Sequence, residues 1–428
     1  MKATWLLLVV VLFFGACAKT TATMPNNLAQ VNVENSDDLA YLEAFDALNR
    51  GDEEVAFEKF FALYKKTGSL ICAKEALKLA FVLRNDKLDL LVQVARKQMS
   101  KDSDVLRILA GYELQNLKIA NAKKIVKNLV VMEPNSAVNY SILGTIYLLE
   151  DSKDLALFAF KKAYSLEPSE INLLKLVDML ANVLNRQKEA ISFASDWVSK
   201  YGCTKQTCLV LLGLYAANED STNMVAVYSM LYDSFGGENF LRDGLSVLLF
   251  KRDFAGARAL LEKYRFDDGV LMELYSQLGL FEHAYNLASE LYENSKEPSY
   301  LARMAIYKYE NAGSKPSKEL LAQVVELFER SVYESKDAIF YNYYGYLLIN
   351  HDIDAKKGLE LALKAHELDP AALFIIDSVA WGYYKLGECK NAKEWIERVL
   401  IDKEFASSDE VKEHLDAINK CIMEQKLF

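Results

Sequence analysis

The sequence predicts an all-α fold, an array of stacked helix pairs closed by a final capping helix, and two observations predict it. Proline is scarce, 6 in 428 residues, and a long chain that avoids the residue which interrupts helices reads as helical. Small and aromatic residues also recur about every 34 residues, and recurrence at that length marks a solenoid in which each unit buries its apolar face only against its neighbours. Hydrophobic residues make up 52% and charged residues 26%, a balance that excludes wholesale disorder and collagen-like structure. A formal charge of −10 argues against general nucleic-acid binding, which needs a basic face to displace phosphate counterions.

Residues 1–16 read as a secretory signal, with Lys2 as the positive start and an apolar run from Trp5 to Phe14. That run is too short to span a bilayer core of about 30 Å as a helix. Its end, Phe14-Gly15-Ala16-Cys17, resembles the bacterial lipoprotein signal. The resemblance implies cleavage before Cys17 and acyl chains (palmitate among them) on that cysteine. With Ala18 rather than aspartate following, it also implies sorting to the outer membrane, facing the periplasm. Several chains would anchor the protein firmly, at about 0.8 kcal/mol per buried CH₂. An ordinary signal peptide with a chance cysteine is the alternative. Residues 17–36, rich in Thr, Asn and Ala, read as a flexible tether.

Residues 37–237 carry the period. In a unit starting at Ala137, Tyr140, Leu143, Gly144, Tyr147, Ala156, Phe160, Ala163 and Pro168 fall at positions 4, 7, 8, 11, 20, 24, 27 and 32. Small residues let the two helices of a pair approach, aromatic and leucine side chains fill the seam, and the proline stops the second helix. Partial matches follow in both directions: Leu106, Leu109, Ala110, Ala122 and Pro134 before it, then Ala181, Ala190, Ala194 and Trp197, then Leu212, Gly213 and Tyr215. Residues 238–336 are irregular. One spacing, from Ala257 to Ala284, is about 27 residues, which predicts a trimmed helix, and Asn311 to Ser317 form an enlarged turn. Residues 337–406 recover the pattern in Tyr341, Tyr344, Gly345, Leu348, Ala365 and Pro370, then Ile376, Val379, Ala380, Tyr383, Gly387, Ala392 and Ile396. Residues 407–428 close the chain as a cap, with Ser408 as N-cap and Val411, Leu415, Ile418 and Ile422 as its apolar stripe.

These residues resemble the tetratricopeptide repeat (TPR), with tyrosine standing where the family has tryptophan. The resemblance implies a right-handed superhelix, an α-solenoid of about eleven helix pairs. The segment from Asp377 to Gly387, after Tyr341 to Pro370, is similar to the C-terminal end of outer-membrane TPR lipoproteins of Gram-negative bacteria. Some of those are adaptors that bring clients to periplasmic proteases.

No motif for catalysis or cofactor binding is present: there is no Gly-x-Gly-x-x-Gly, no Walker loop and no Gly-x-Ser-x-Gly elbow. The four histidines, His283, His351, His366 and His414, form no zinc-ligand spacing. His351-Asp352-Ile353-Asp354 reads as a solvated turn. No catalytic residue, metal or cofactor is therefore expected, and the protein is expected not to be an enzyme. In an oxidising compartment, with Cys17 lipidated, Cys389 and Cys421 lie about equally far from a turn near Glu404 and predict a disulfide that staples the cap. Cys203 and Cys208 flank a turn and form a second candidate pair, and Cys72 reads as a buried apolar thiol.

The TPR resemblance also implies that positions 2, 5, 9, 12 and 13 of each first helix line a concave groove. Toward the C-terminus these positions bring Tyr309, Asn342, Tyr346, Asn350, Asp377, Trp381, Tyr384 and Lys385 to it. Aromatics and amides of this kind suit a protein partner. The N-terminal counterparts, Leu148, Leu149, Lys175, Met179 and Asn182, are blander, and packing within the array is the alternative role for all of them. The expected function is a membrane-anchored scaffold or adaptor that meets other envelope proteins in this groove, recruiting a client to a periplasmic protease. The second reading is an assembly lipoprotein of an envelope machine such as a pilus, flagellar motor or secretion complex. A cell-wall enzyme, the third, lacks the acid–base constellation it would need.

Overall fold

The computed structural model describes residues 36–313 and 315–425; the signal, Cys17 and the tether up to residue 35 lie outside the described residues. The described residues form helices, turns and loops and no strand. Antiparallel pairs follow one another: α1 (Ser36–Asn49) with α2 (Glu53–Thr67), α3 (Leu70–Leu83) with α4 (Leu88–Gln98), α5 (Ser103–Gln115) with α6 (Ile119–Met132), and α7 (Ala137–Leu149) with α8 (Lys153–Leu166). Next come α9 (Glu170–Asp178) with α10 (Gln187–Tyr201), α11 (Lys205–Ala217) with α12 (Ser221–Phe235), and α13 (Glu238–Phe250) with α14 (Phe254–Tyr264). Then α15 (Asp268–Gln277) pairs with α16 (Phe281–Ser295) and α17 (Pro298–Asn311) with α18 (Lys318–Glu329), before a single turn, α19 (Val332–Ser335). Last are α20 (Ala338–Asn350) with α21 (Ala355–Leu368), α22 (Leu373–Lys385) with α23 (Cys389–Val399), and α24 (Asp409–Gln425). No described helix is long and apolar enough to cross a membrane.

The chain divides into two compact units, the first ending at Phe240 and the second beginning at Leu241. In the first, the core runs from Phe57, Phe60, Leu77 and Leu91 through Val126, Leu129 and Ile146 to Leu173, Leu176 and Met179, all essentially inaccessible. In the second, Phe328, Tyr341, Tyr344, Ile375, Val379 and Ile396 do the same work. Each large side chain so buried stabilises by about 1.5–3 kcal/mol, and neither pair member could hide its stripe alone. The small residues of the period sit where helices touch: Ala122, Ala156, Ala163, Ala190, Ala194, Ala365 and Ala392 are all buried.

Each of the eleven pairs turns on one residue in the left-handed conformation: Gly51, Arg84, Leu117, Asp151, Asn185, Glu219, Arg252, Gly279, Gly313, Asp352 and Gly387. The hydrogen bonds there recur. Leu117 N donates to Leu114 O and Lys118 N to Glu113 O; Asp151 N to Leu148 O and Ser152 N to Tyr147 O; Gly387 N to Tyr384 O and Glu388 N to Tyr383 O. This closure satisfies carbonyls that a helix end would leave bare. The repeat is thus a backbone period as well as a side-chain one.

In the fifth pair the first helix continues past α9 as a π-turn, Met179–Val183. Arg186 N reaches back six residues to Leu180 O, where Lys118 N, Ser152 N, Asp220 N and Glu388 N each reach back five. The N-cap Ser169 comes one residue early by the 34-residue count from Asp102, while the turn at Asn185 stays in step with Asp151 and Glu219. The π-turn absorbs the extra residue.

The irregular stretch has two causes. α14 and α15 are trimmed to 11 and 10 residues, which accounts for the short spacing between Ala257 and Ala284. α19 is an added turn between α18 and α20, anchored by its own buried first residue, Val332. The glycines at the eighth position of the pattern are not equivalent. A Cβ on Gly345 would meet the backbone oxygen of Gly358 at 2.7 Å, and one on Gly144 would meet the Phe160 ring at 2.7 Å, but one on Gly213 would meet nothing within 4 Å. Only the first two permit a close helix approach.

Candidate protein-binding groove

In the second unit α17 packs on α20 and α20 on α22, so that the first helices of successive pairs lie side by side. They join most of the predicted groove residues into one network. Trp381 Nε1 donates to Asn350 Oδ1 at 3.3 Å, and its ring stacks on Tyr384 with centroids 4.7 Å apart. Lys385 Nζ donates to both oxygens of Asp352 at 2.8 and 3.0 Å and lies 5.4 Å from the Trp381 centroid. The Tyr309 hydroxyl shares a 2.8 Å hydrogen bond with His351 Nε2, and burial, then Glu310 and Glu410, push its pKa up. Burial lowers the pKa of His351, Lys385 adding to the effect and Asp352 opposing it. The His351–Asp354 turn is therefore not simply solvated: His351 reaches one pair back and Asp352 one pair forward. Asn342 is buried, and its Oδ1 has no hydrogen-bond donor among the described residues.

The final helix does two things at once. Val411 and Ile418 are buried and Leu415 partly so, against Ile376, Ala380, Ala392, Ile396 and Val399 of the last pair, and Ser408 Oγ accepts from Val411 N at 3.4 Å. That is a lid over an apolar end face. The next positions around the helix face the groove instead. Tyr346 donates its hydroxyl to the Glu410 carboxylate, and burial followed by that bond raises the tyrosine pKa. One turn later, His414 Nδ1 lies 2.9 and 3.1 Å from the carboxylate oxygens of Asp377, and its ring stacks on Trp381 at 4.0 Å and 16°. Both partners of that pair are buried. Further along, Lys393 Nζ donates to Asn419 Oδ1 at 2.9 Å and a disulfide joins Cys389 to Cys421.

Three predicted groove residues, Tyr346, Asp377 and Trp381, are thus occupied by the chain's own C-terminal helix. Sequence reasoning treated that helix only as a cap and did not place Glu410 or His414 in the site. Their spacing of four residues, beside the apolar stripe at 411, 415 and 418, was the signal available. Tyr384 and Lys385 lie partly open beyond the helix.

In the first unit the equivalent face is built differently. Ser141 and Lys175 hold the same position in successive pairs, and Lys175 Nζ donates to Ser141 Oγ at 2.7 Å. Burial brings the Lys175 pKa down to about 8 and raises that of Asp178, which accepts from Asn182 at 2.8 Å. A second disulfide joins Cys203 to Cys208, and Cys72 is free and buried. Among the described residues no group of three or more His, Cys, Asp or Glu side chains is placed to hold a metal ion.

Fold and site together define a class: an all-helical pair-repeat protein whose first-helix faces carry stacking rings, amides and paired charged side chains suited to holding another segment of polypeptide. No family model matches the chain, and no curated protein matches it. Among solved structures it is similar to Pseudomonas aeruginosa PilF, at 16% identity and a TM-score of 0.38, over 48% of this chain and 95% of that one. It is also similar to a chain of the APC/C Cut9–Hcn1 heterotetramer, at 11% identity and a TM-score of 0.35 over 90% and 94% of the two chains. A chain of Naa15/Naa10 bound to HypK-THB is similar at 16% identity and a TM-score of 0.32, over 83% and 65%.

Proposed function

We propose that this chain is a lipid-anchored interaction scaffold of the bacterial envelope, held at the outer membrane through Cys17 and facing the periplasm. It presents a client protein to a second envelope protein, a periplasmic protease in the favoured reading. The observation that supports the scaffold role most directly is the groove at Tyr346, Asp377 and Trp381, which already holds a helix through a stacked ring, a buried polar pair and a tyrosine–carboxylate bond. A surface that holds one helix with such side chains has the chemistry to hold another. The sequence Phe14-Gly15-Ala16-Cys17 supports the anchor, and the two disulfides suit an oxidising compartment.

The test is photo-crosslinking in intact cells from Tyr384, which lies partly open beside the groove, with the crosslinked proteins identified by mass spectrometry. Recovery of an envelope protease with its substrate is expected; recovery of pilus, motor or secretion subunits would move the role to the assembly reading. A Tyr346→Ala, Trp381→Ala double variant that stays folded and keeps every crosslink would sink the groove. Cys17→Ala should release the protein from the membrane fraction.

A further inference from the structure

We infer that the helix 409–425 is a resident ligand of the groove, a displaceable latch, and that the partner is an amphipathic helix in the same register. The inference rests on the groove being the docking face proposed above, and it names what docks there. Three observations carry it. The helix spends its apolar stripe on the end face of the last pair, as a cap must, yet it also turns Glu410 and His414 onto three groove side chains that a cap has no need to touch. The contacts are specific in geometry: a carboxylate reaching the Tyr346 hydroxyl and, one turn on, a flat ring lying on Trp381 with a nitrogen on Asp377. The attachment is bounded at both ends, by residues 400–408 on one side and the Cys389–Cys421 disulfide on the other, so the helix stays beside the groove even when its contacts break.

A tethered ligand acts at an effective concentration in the millimolar range, so weak contacts suffice to keep the groove closed until a better helix arrives. A competitor must supply what the latch supplies: an acidic residue at i and a histidine or similar flat donor at i+4, beside an apolar stripe. Partner binding and latch opening are then one equilibrium, and weakening the latch strengthens the partner without altering the groove.

The probe is a fluorescein-labelled synthetic peptide of residues 405–425 carrying serine in place of Cys421, titrated into the full chain and followed by anisotropy. The wild-type chain should bind it weakly. A Glu410→Ala, His414→Ala double variant should bind it about tenfold or more tighter, because the peptide no longer competes with an intact latch. Adding Trp381→Ala should remove that gain. Should the double variant lose its helical circular dichroism, Cys421→Ser, which frees one end of the helix, carries the same test with the same order of affinities. Equal binding by wild type and the folded latch variant, or a gain that survives Trp381→Ala, overturns the inference. Those outcomes would leave the in-cell crosslinks untouched, whereas absent crosslinks with the predicted peptide ranking would sink the scaffold role and keep the latch.

Discussion

Replacing Gly345 with alanine should destabilise the second unit although alanine is the better helix former. A Cβ at Gly345 would lie 2.7 Å from the backbone oxygen of Gly358, 3.1 Å from Ala362 N and 3.2 Å from Leu361 Cβ. Two of those neighbours are backbone atoms of α21, which cannot rotate aside, so the helices must part by several tenths of an ångström. Overpacking of this kind costs about 1–3 kcal/mol, and parting the helices also weakens dispersion along their seam. The intrinsic helix preference returns about 1 kcal/mol, leaving a net loss of up to about 2 kcal/mol. Gly213→Ala is the control, since that Cβ would meet nothing within 4 Å and the same preference should stabilise by up to about 1 kcal/mol. Equilibrium urea unfolding reads both, with Trp381 and Trp395 fluorescence reporting the second unit and Trp197 the first. A Gly345→Ala variant that gains as much stability as Gly213→Ala, with an unchanged m-value, would refute the argument that this glycine sets the α20–α21 distance.

Leu117 is left-handed and 66% exposed, so Leu117→Gly should gain about 0.5–1 kcal/mol by relieving strain while losing little burial; unfolding of the first unit measures it. Cys421→Ser opens a loop closed across 32 residues of sequence and should cost about 3–4 kcal/mol in the chain-entropy account, read as a lower urea midpoint for the last pair and α24. Lys175, with its pKa down to about 8, releases its proton in the folded state before the unfolded chain does. Its contribution is therefore full only above about pH 10.5 and is lost as pH falls through 8, so Lys175→Met should raise stability at pH 7 by about 1–3 kcal/mol and have little effect above pH 10.5. His351, lowered by burial, should titrate below the usual histidine range of about 6.5 by NMR, its contribution to stability present above that pH and lost as pH falls below it; a value above 6.5 would mean that the ring is not held against Tyr309.

The helix pairs were legible because packing writes itself into side chains. Ala156, Ala163 and Phe160 must be small or flat where α7 meets α8, and the period follows from that need. The turns within pairs were less legible, since only Gly51, Gly279, Gly313 and Gly387 among their eleven left-handed residues are glycine, and Arg84, Leu117 or Glu219 announce nothing. Gly213 misled in the other direction: it sits at the place of the pattern where close approach is expected and approaches nothing. In the site, the groove residues on α20 and α22 were readable from their positions in the repeat. Glu410 and His414 were not, because α24 lies outside the period and its polar side reads as ordinary solvated surface. A contact between residues 37 apart, such as His414 with Asp377, depends on where the 400–408 connection sends the chain, and no local pattern records that.

The π-turn at Met179–Val183 acts as a phase corrector. In a regular helix each added residue rotates everything after it by about 100°, so the early start at Ser169 would have aimed the end of this helix, and the pair behind it, away from the neighbours on either side. Widening one turn cancels that rotation within a few residues, and Asn185 resumes the common frame. An array assembled this way can accept an insertion of one residue without a compensating deletion, provided the extra backbone is housed inside a helix. Deleting one residue from 179–183 should convert the segment to plain α-helix and leave the pairs on both sides in step.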